Sequence, residues 1–423
     1  MTQTTSGQST SETAASPGGG LAGDASPVRR TDVLVVGGGI GGLAAARGLR
    51  ASGMSVTLLE QAPEFGEVGA GLQLGPNATR LLRNWGLLER VIAVGVEPAN
   101  LVFRDAVSGE ELTRQDLRGD FMRRYGAPYV VAHRSDLHAI MCAAAAEVGV
   151  ELVTSAKVSD VTATPSGARV VIADGTAFEA NLVLGADGLT STLRPAVSKD
   201  APVSSGYVAY RGTFPMADVE MAGDLHDVVA WLGPHCHFVQ YPLRQGEMLN
   251  QVAVFRSPGF LRGESDWGGP HELDEAYAGC HPAVQRMLGY LWHDRRWPMY
   301  DREPLESWSH GRVLLTGDAA HPMLQYLAQG ACQALEDADA LARAAHTHVL
   351  GGQDYDPTGW DTAAAAFVAE RAPRTAQVQR LARLWGDSWH LDGVARLVRN
   401  ELFRRRDPDD YRYTDWIYAD GSP

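Results

Sequence analysis

Val33-Leu34-Val35-Val36 is an unbroken apolar run that breaks abruptly into Gly37-Gly38-Gly39-Ile40-Gly41-Gly42. A run without polar alternation is what a parallel strand covered on both faces requires. Leu43 to Ser52 follows with the Ala, Leu and Arg content of a helix, and Ser55-Val56-Thr57-Leu58-Leu59-Glu60 reads as the next strand. Together they form one βαβ unit. Two further apolar runs, Ala180 to Gly185 and Arg312 to Thr316, end in Ala186-Asp187-Gly188 and Gly317-Asp318. Each puts an acid at the carboxyl end of a strand, where open parallel sheets bind ligands. Between these runs the pattern changes. Pro202 to Tyr300 alternates apolar and polar residues around Trp231-Leu232-Gly233 and His237-Phe238-Val239-Gln240-Tyr241, as antiparallel strands do. Beyond Cys332 the chain has Ala- and Arg-rich helical spacing to about Leu402, then an Asp/Tyr/Arg tail.

The pattern predicts an α/β fold: a Rossmann-like nucleotide-binding domain, an inserted mixed or antiparallel-sheet domain for substrate, and a helical C-terminal region. The expected nucleotide-binding segments are 31–105, 130–200 and 301–345, and the inserted domain takes 106–129 and 201–300. Residues 346–423 form the helical region. Residues 1–30 hold almost no large apolar side chain and are expected to be a disordered tail. A length of 423 residues accommodates two to three such units.

Charge and cysteine usage narrow the function. The formal charge of -14 argues against a nucleic-acid partner, because phosphate binding needs clustered Lys and Arg. Cys142, Cys236, Cys280 and Cys332 form no CxxC pair, so neither a metal site nor a dense disulfide framework is expected. A reducing cytoplasm is the default compartment. No stretch of 18 apolar residues suggests a transmembrane segment.

Gly37-x-Gly39-x-x-Gly42 lies between strand and helix, with Glu60 at the end of the following strand. The first glycine permits the tight turn, the second lets a pyrophosphate reach backbone amides at the helix N-terminus, and the third lets helix and strand pack closely. Glu60 would hold a ribose hydroxyl pair. This motif alone leaves the dinucleotide open. Asp187 and Asp318 also suit helix N-caps, so residue type leaves cap and ligand roles open for both.

Two more motifs, Gly185-Ala186-Asp187-Gly188-Leu189-Thr190-Ser191-Thr192-Leu193-Arg194 and Gly317-Asp318-Ala319-Ala320-His321-Pro322, resemble fingerprints of the class A flavoprotein aromatic hydroxylases, the para-hydroxybenzoate and salicylate hydroxylase-like monooxygenases. His133-Arg134-Ser135-Asp136-Leu137 resembles a further element of that family, and all four motifs occur in its order. The resemblance implies bound FAD, with NADH or NADPH as a transient co-substrate. Gly37, Gly39, Gly42 and Glu60 would then hold the adenosine half, and Arg134 would orient the flavin. Asp187 and Gly188 would border FAD and the nicotinamide route, and Asp318 would take a ribityl hydroxyl. The Gly330 and Ala331 amides would stabilise negative charge on the reduced ring. No second glycine-rich βαβ unit serves the nicotinamide donor, which matches the family.

The substrate candidates fall in two segments. On a strand, His237, Val239 and Tyr241 share a face, which sets a base, an apolar wall and a phenol together. Gln325, a few residues beyond Asp318, must then lie within reach of the flavin ring. The run from His321 to Ala334 is most similar to family members that act on 3-hydroxybenzoate, which implies hydroxylation para to the phenol and gentisate as product. It also implies His237 as the base, with Tyr241 and Gln325 positioning the ring. An aryl alcohol titrates near ~10 and histidine near ~6.5, so a neutral imidazole can draw off the proton as the ring becomes electron-rich. Decarboxylative salicylate hydroxylation giving catechol, and a flavin-binding interaction protein without turnover, are the alternatives. His235 shares the parity of His237 and competes as base. Tyr129 and Pro322 are pocket candidates, although a core role explains Tyr129 equally well. Arg211 could bind a carboxylate or form a surface ion pair. The aromatic run Trp385 to Tyr418 is expected to pack against the body or a second subunit, and the resemblance implies a homodimer.

Overall fold

The apolar runs read from the sequence lie side by side in a computed structural model that describes residues 28–66, 70–164, 166–219, 226–351 and 355–419. The Arg29–Val36 strand pairs in parallel with Val56–Leu59 on one side and Ala177–Gly185 on the other. Ala177–Gly185 pairs in parallel with Val313–Leu315, and Val56–Leu59 with the short Glu151–Val153 strand. Val33 to Val36 are all buried, which is why this strand carries no polar alternation. The Ile40–Ala51 helix covers one face and packs on the Gly330–His348 helix. Gly41 and Gly48 meet Ala334 and Ala342 there, so small residues set the close approach of the two helices.

Two expected boundaries differ. The first strand starts at Arg29, so Arg29 and Arg30 belong to the sheet, where they pair with Glu151 and Glu179. The rest of the predicted tail, residues 1–27, lies outside the described residues. The Asn100–Asp105 strand, assigned above to the nucleotide-binding segment 31–105, joins the other sheet instead, in parallel with Val228–Gly233. Its anchor is Asp227, whose Oδ1 accepts from both the Asn100 backbone N–H and Nδ2 at 3.0 Å. A partner so distant in sequence leaves no local signal.

Among the described residues the second sheet has seven strands: Trp297–Asp301, Val203–Pro215, Met248–Arg256, Cys236–Leu243, Val228–Gly233, Asn100–Asp105 and Glu111–Asp116, in that spatial order. Its two faces separate as a period of two demands. Cys236 and Phe238 pack with Leu273, Tyr277 and Met287 beneath two helices, whereas Val239 and Tyr241 pack with Trp389 and Tyr326 on the other side. A two-stranded ribbon, Gly71–Leu74 with Val130–His133, passes between the sheets, and Asn250 Oδ1 accepts the Gly71 N–H at 2.7 Å. The 30-residue Trp360–Trp389 helix, then Gly393–Arg404 and Arg412–Tyr418, bring Trp385, Trp389, Phe403 and Tyr418 onto the Val239 and Tyr241 face of the second sheet. No described helix is long and apolar enough to cross a membrane.

Candidate active site

The glycine loop is built for close contact. Gly37 has φ +111°, and a Cβ there would strike the Ala186 carbonyl; a Cβ on Gly42 would strike the Gly37 carbonyl. Gly39 precedes the Ile40–Ala51 helix without a side-chain cap, which leaves the helix N-terminus open to a cavity that Gly39 to Gly42 line. Glu60 braces the loop, accepting from the N–H groups of Gly38 and Ala62 at 2.8 Å each. The buried His138, which the sequence reading missed, holds the Gly38 carbonyl through Nε2 at 2.7 Å.

The two acids at strand ends differ in their local work. Asp187 does cap a turn: its Oδ2 accepts from the Thr192 backbone N–H at 2.7 Å and from its hydroxyl at 2.8 Å. Its Oδ1 is buried with no protein partner. The cap uses one oxygen of the carboxylate and leaves the other free of it. Asp318 is exposed in the Gly317–Ala319 turn and caps no N–H group among the described residues. That turn is fixed from behind, because Asp337 accepts from Thr316 Oγ1 and the Gly317 N–H at 3.0 Å and pairs with His321 Nε2 at 2.6 Å.

One cavity of about 1360 Å³ runs from this loop to the seven-stranded sheet. Gly37, Gly39, Gly42, Glu60, Arg134, Asp187, Gly188, Asp318, Gly330 and Ala331 line one part of it. Tyr129, His237, Val239, Tyr241 and Gln325 line the other. Pro322 does not line it. With no N–H to donate, Pro322 contributes its carbonyl, which accepts from Gln379 Nε2 at 3.0 Å on the C-terminal helix, and Met323 takes the wall instead. His235 sits in the turn before the strand with φ +57° and also lies off the wall.

At the sheet end, His237 is 1% exposed, and burial pushes its imidazole down to about 3, so the ring is neutral. Its Nδ1 lies 2.8 Å from Nε2 of His390. Burial raises the Tyr241 phenol as well, against the opposing pull of Arg211. Arg211 Nη2 donates to Gln325 Oε1 at 3.1 Å, and its guanidinium stands 5.6 Å from the Trp297 ring centroid. Its Nε is buried without a partner, and burial lowers its pKa. The ionisable groups acting on it are Tyr241 and Arg134, and no described carboxylate is among them. Tyr129 donates to Gln73 Oε1 at 2.6 Å. An aromatic box of Phe103, Trp385, Trp389 and Phe403 closes this end. The sequence reading missed His390 and Gln73, whose partners are far away in the chain. The C-terminal aromatics, expected against the body or a second subunit, pack on the body and also wall the cavity.

A glycine loop at a helix N-terminus shares one cavity with a buried histidine and a buried arginine on a second sheet, the arrangement of a dinucleotide-binding enzyme. The chain belongs to the FAD binding domain family, whose model matches residues 30–382. It is 39% identical to a 3-hydroxybenzoate 6-hydroxylase of Klebsiella oxytoca, over 91% of this chain and 96% of that protein. Identity to a 3-amino-4-hydroxybenzoate 2-monooxygenase of Streptomyces cremeus is 37%, covering 92% and 94%. A Klebsiella pneumoniae HpxO structure solved with FAD and uric acid shares the fold at a TM-score of 0.76 and 24% identity, covering 89% of this chain and 93% of that one. The protein is an FAD-dependent aromatic hydroxylase.

Proposed function

We propose that this enzyme hydroxylates 3-hydroxybenzoate para to its phenol, using NADH and O2, and releases gentisate, NAD⁺ and water. The observation that carries this reading is the pairing, in one cavity, of a neutral buried imidazole at His237 with a buried guanidinium at Arg211 that no carboxylate among the described residues matches. A substrate with a phenol and a carboxylate satisfies both groups. The names of the two relatives, each a hydroxybenzoate enzyme, support the same class.

The residues present fit FAD. Gly37 and Gly42 leave no room for a Cβ, as a pyrophosphate cradle requires, and Asp187 Oδ1 is an orphaned acceptor at the cavity wall. Gly37, Gly39 and Gly42 would hold the pyrophosphate and Glu60 the adenosine ribose, while Arg134, Asp187, Gly188 and Asp318 would hold the middle and flavin portions. Gly330 and Ala331 open the 19-residue Gly330–His348 helix, whose amides present positive charge to the cavity. When bound, FAD supplies electron transfer from the nicotinamide and activation of O2.

The chain's own groups do the rest. Arg211 would anchor the carboxylate and hold Gln325 in place, Val239 would pack on the ring, and Tyr241 would orient it. His237 Nε2 would accept the phenolic proton, which pushes electron density to the ortho and para carbons. The aromatic box would exclude water from the ring. Incubation with FAD, NADH, O2 and 3-hydroxybenzoate, followed by chromatography, is expected to yield gentisate and to run faster with NADH than NADPH. Hydrogen peroxide as the only product, or catechol from salicylate with no turnover of 3-hydroxybenzoate, would overturn the reading. His237→Ala should retain FAD and lose roughly 100-fold or more of hydroxylation, with NADH oxidation diverted to peroxide.

A further inference from the structure

His237 is joined to a second buried histidine that the reaction as described leaves idle. His390 is 4% exposed at the end of the Trp360–Trp389 helix, and its Nε2 lies 2.8 Å from His237 Nδ1 with the rings stacked at 5.0 Å between centroids. Such a bond between imidazoles needs one N–H and one bare nitrogen, so it links the two tautomers. For His237 to accept a proton from the cavity, Nε2 must be bare. Nδ1 then carries the hydrogen and donates to His390 Nε2, and His390 carries its own hydrogen on Nδ1.

We infer that His390 is a positioning residue that sets the tautomer of His237 and passes the substrate's phenolic proton out of the cavity. The inference rests on the proposed reading of His237 as base. The transfer balances without any further reactant. The phenol O–H bond breaks as a bond forms at His237 Nε2; the Nδ1 hydrogen of His237 moves to His390 Nε2; the Nδ1 hydrogen of His390 leaves to water. Both rings end neutral in the opposite tautomer, and the phenolate stays in the cavity opposite Arg211.

The surroundings favour passage over storage. The charged and titratable groups around His390 come from every element packed on it: His237 and His235 from the strand and its turn, Arg256 from the next strand, Arg399 from the following helix, and the phenols of Tyr207 and Tyr326. Tyr207 stacks on the ring at 4.4 Å between centroids, and Asp387 lies one turn back along the helix. Burial first, then His237, His235, Arg399 and Arg256, lower the basicity of His390 well below the usual histidine range. A cation on either ring is therefore disfavoured, and a proton entering at His237 is driven onward. The half-buried turn of His235 lies against His390, its N–H donating to the His390 carbonyl at 3.0 Å, and is the nearest solvent-facing segment these contacts give for the proton to reach.

Stopped-flow mixing of the oxidised holoenzyme with 3-hydroxybenzoate in weak buffer, with a pH-indicator dye, reads the released proton. His390→Gln keeps a hydrogen-bond partner for His237 but cannot relay a proton. It is expected to retain FAD and 3-hydroxybenzoate affinity while releasing the proton roughly 10- to 100-fold more slowly. Release at the wild-type rate in that variant would overturn the relay. A second measurement needs no variant: in wild-type protein, release in mixed H2O and D2O should fall along a curved line, because more than one proton moves, and a straight line would sink the relay. Failure of the wild-type protein to bind 3-hydroxybenzoate is a separate outcome, which removes the substrate reading and the relay with it.

Discussion

Burial of the His237 ring has a consequence for stability as well as for chemistry. The folded ring titrates at about 3, whereas an unfolded histidine titrates near ~6.5, so between these values the unfolded chain binds more protons. Stability must fall as pH drops through that window, and His237 alone accounts for a loss of roughly 2 kcal/mol between pH 7 and pH 5. Denaturant titrations at the two pH values should show this loss reduced in His237→Gln; an unchanged pH dependence would contradict it. Arg211 makes the complementary case. Its guanidinium is buried beside Gln325 and Trp297, with no carboxylate among the described residues to match it. Arg211→Met is expected to weaken 3-hydroxybenzoate binding by about 2–4 kcal/mol, since the substrate carboxylate would be buried unpaired. Affinity for the neutral 3-hydroxybenzamide should change far less. Equal losses for both ligands, measured by flavin absorbance titration, would show that Arg211 acts on shape and not on charge.

Arg194, the last residue of the second motif, shows how elements distant in sequence are locked together. It is 1% exposed, grips Asp200 through Nε and Nη2 at 2.9 Å each, and donates through Nη1 to the carbonyls of Ala319 and Ala320 at 2.6 and 2.9 Å. The turn carrying Asp318 is thus bolted to the strand end carrying Asp187. Arg194→Met leaves two buried carbonyls and part of Asp200 unpaired, and should cost roughly 3–5 kcal/mol of stability and loosen FAD retention. Thermal melts with flavin fluorescence check both, and a near-wild-type melt would exclude the clamp. The motif spacing made these elements legible: each apolar run ends in its own glycine or acid, and the four runs from Val33, Val56, Ala180 and Arg312 do become neighbouring parallel strands. What stayed illegible depends on partners far along the chain. The Asn100–Asp105 strand is claimed by Asp227, and the strand-face argument that found Val239 and Tyr241 beside His237 had no means of finding His390, 153 residues away. Periodicity reports which face a side chain takes; it does not report what the rest of the chain lays against that face.

At the scale of the whole molecule, the cavity is closed by the end of the chain, and that closure carries its own prediction. Trp416, Ile417 and Tyr418 of the last helix line the cavity alongside the two sheets. Arg124 holds the helix through a two-pronged pair with Asp415 at 2.6 Å, Tyr125 meets the Thr414 hydroxyl at 2.7 Å, and Arg80 donates to the Tyr418 carbonyl at 2.8 Å. Tyr418 also fills the space beside Gly75, where a Cβ would press on its ring at 2.5 Å. These contacts tie the helix to the 119–125 segment and to the Pro76–Asn84 helix, and none of the residues named here belongs to the glycine loop. Removing residues 411–423 should therefore leave FAD bound while admitting water to the end of the cavity proposed to hold the substrate ring. The expected result is a several-fold rise in peroxide formed per NADH oxidised, with less hydroxylated product. Tyr418→Ala, which keeps the helix and removes one wall, should move in the same direction by a smaller amount. Should both variants hydroxylate with wild-type coupling, the C-terminal helix would be a structural prop on the outside of the site, and water exclusion would have to rest on the aromatic box of Phe103, Trp385, Trp389 and Phe403 alone.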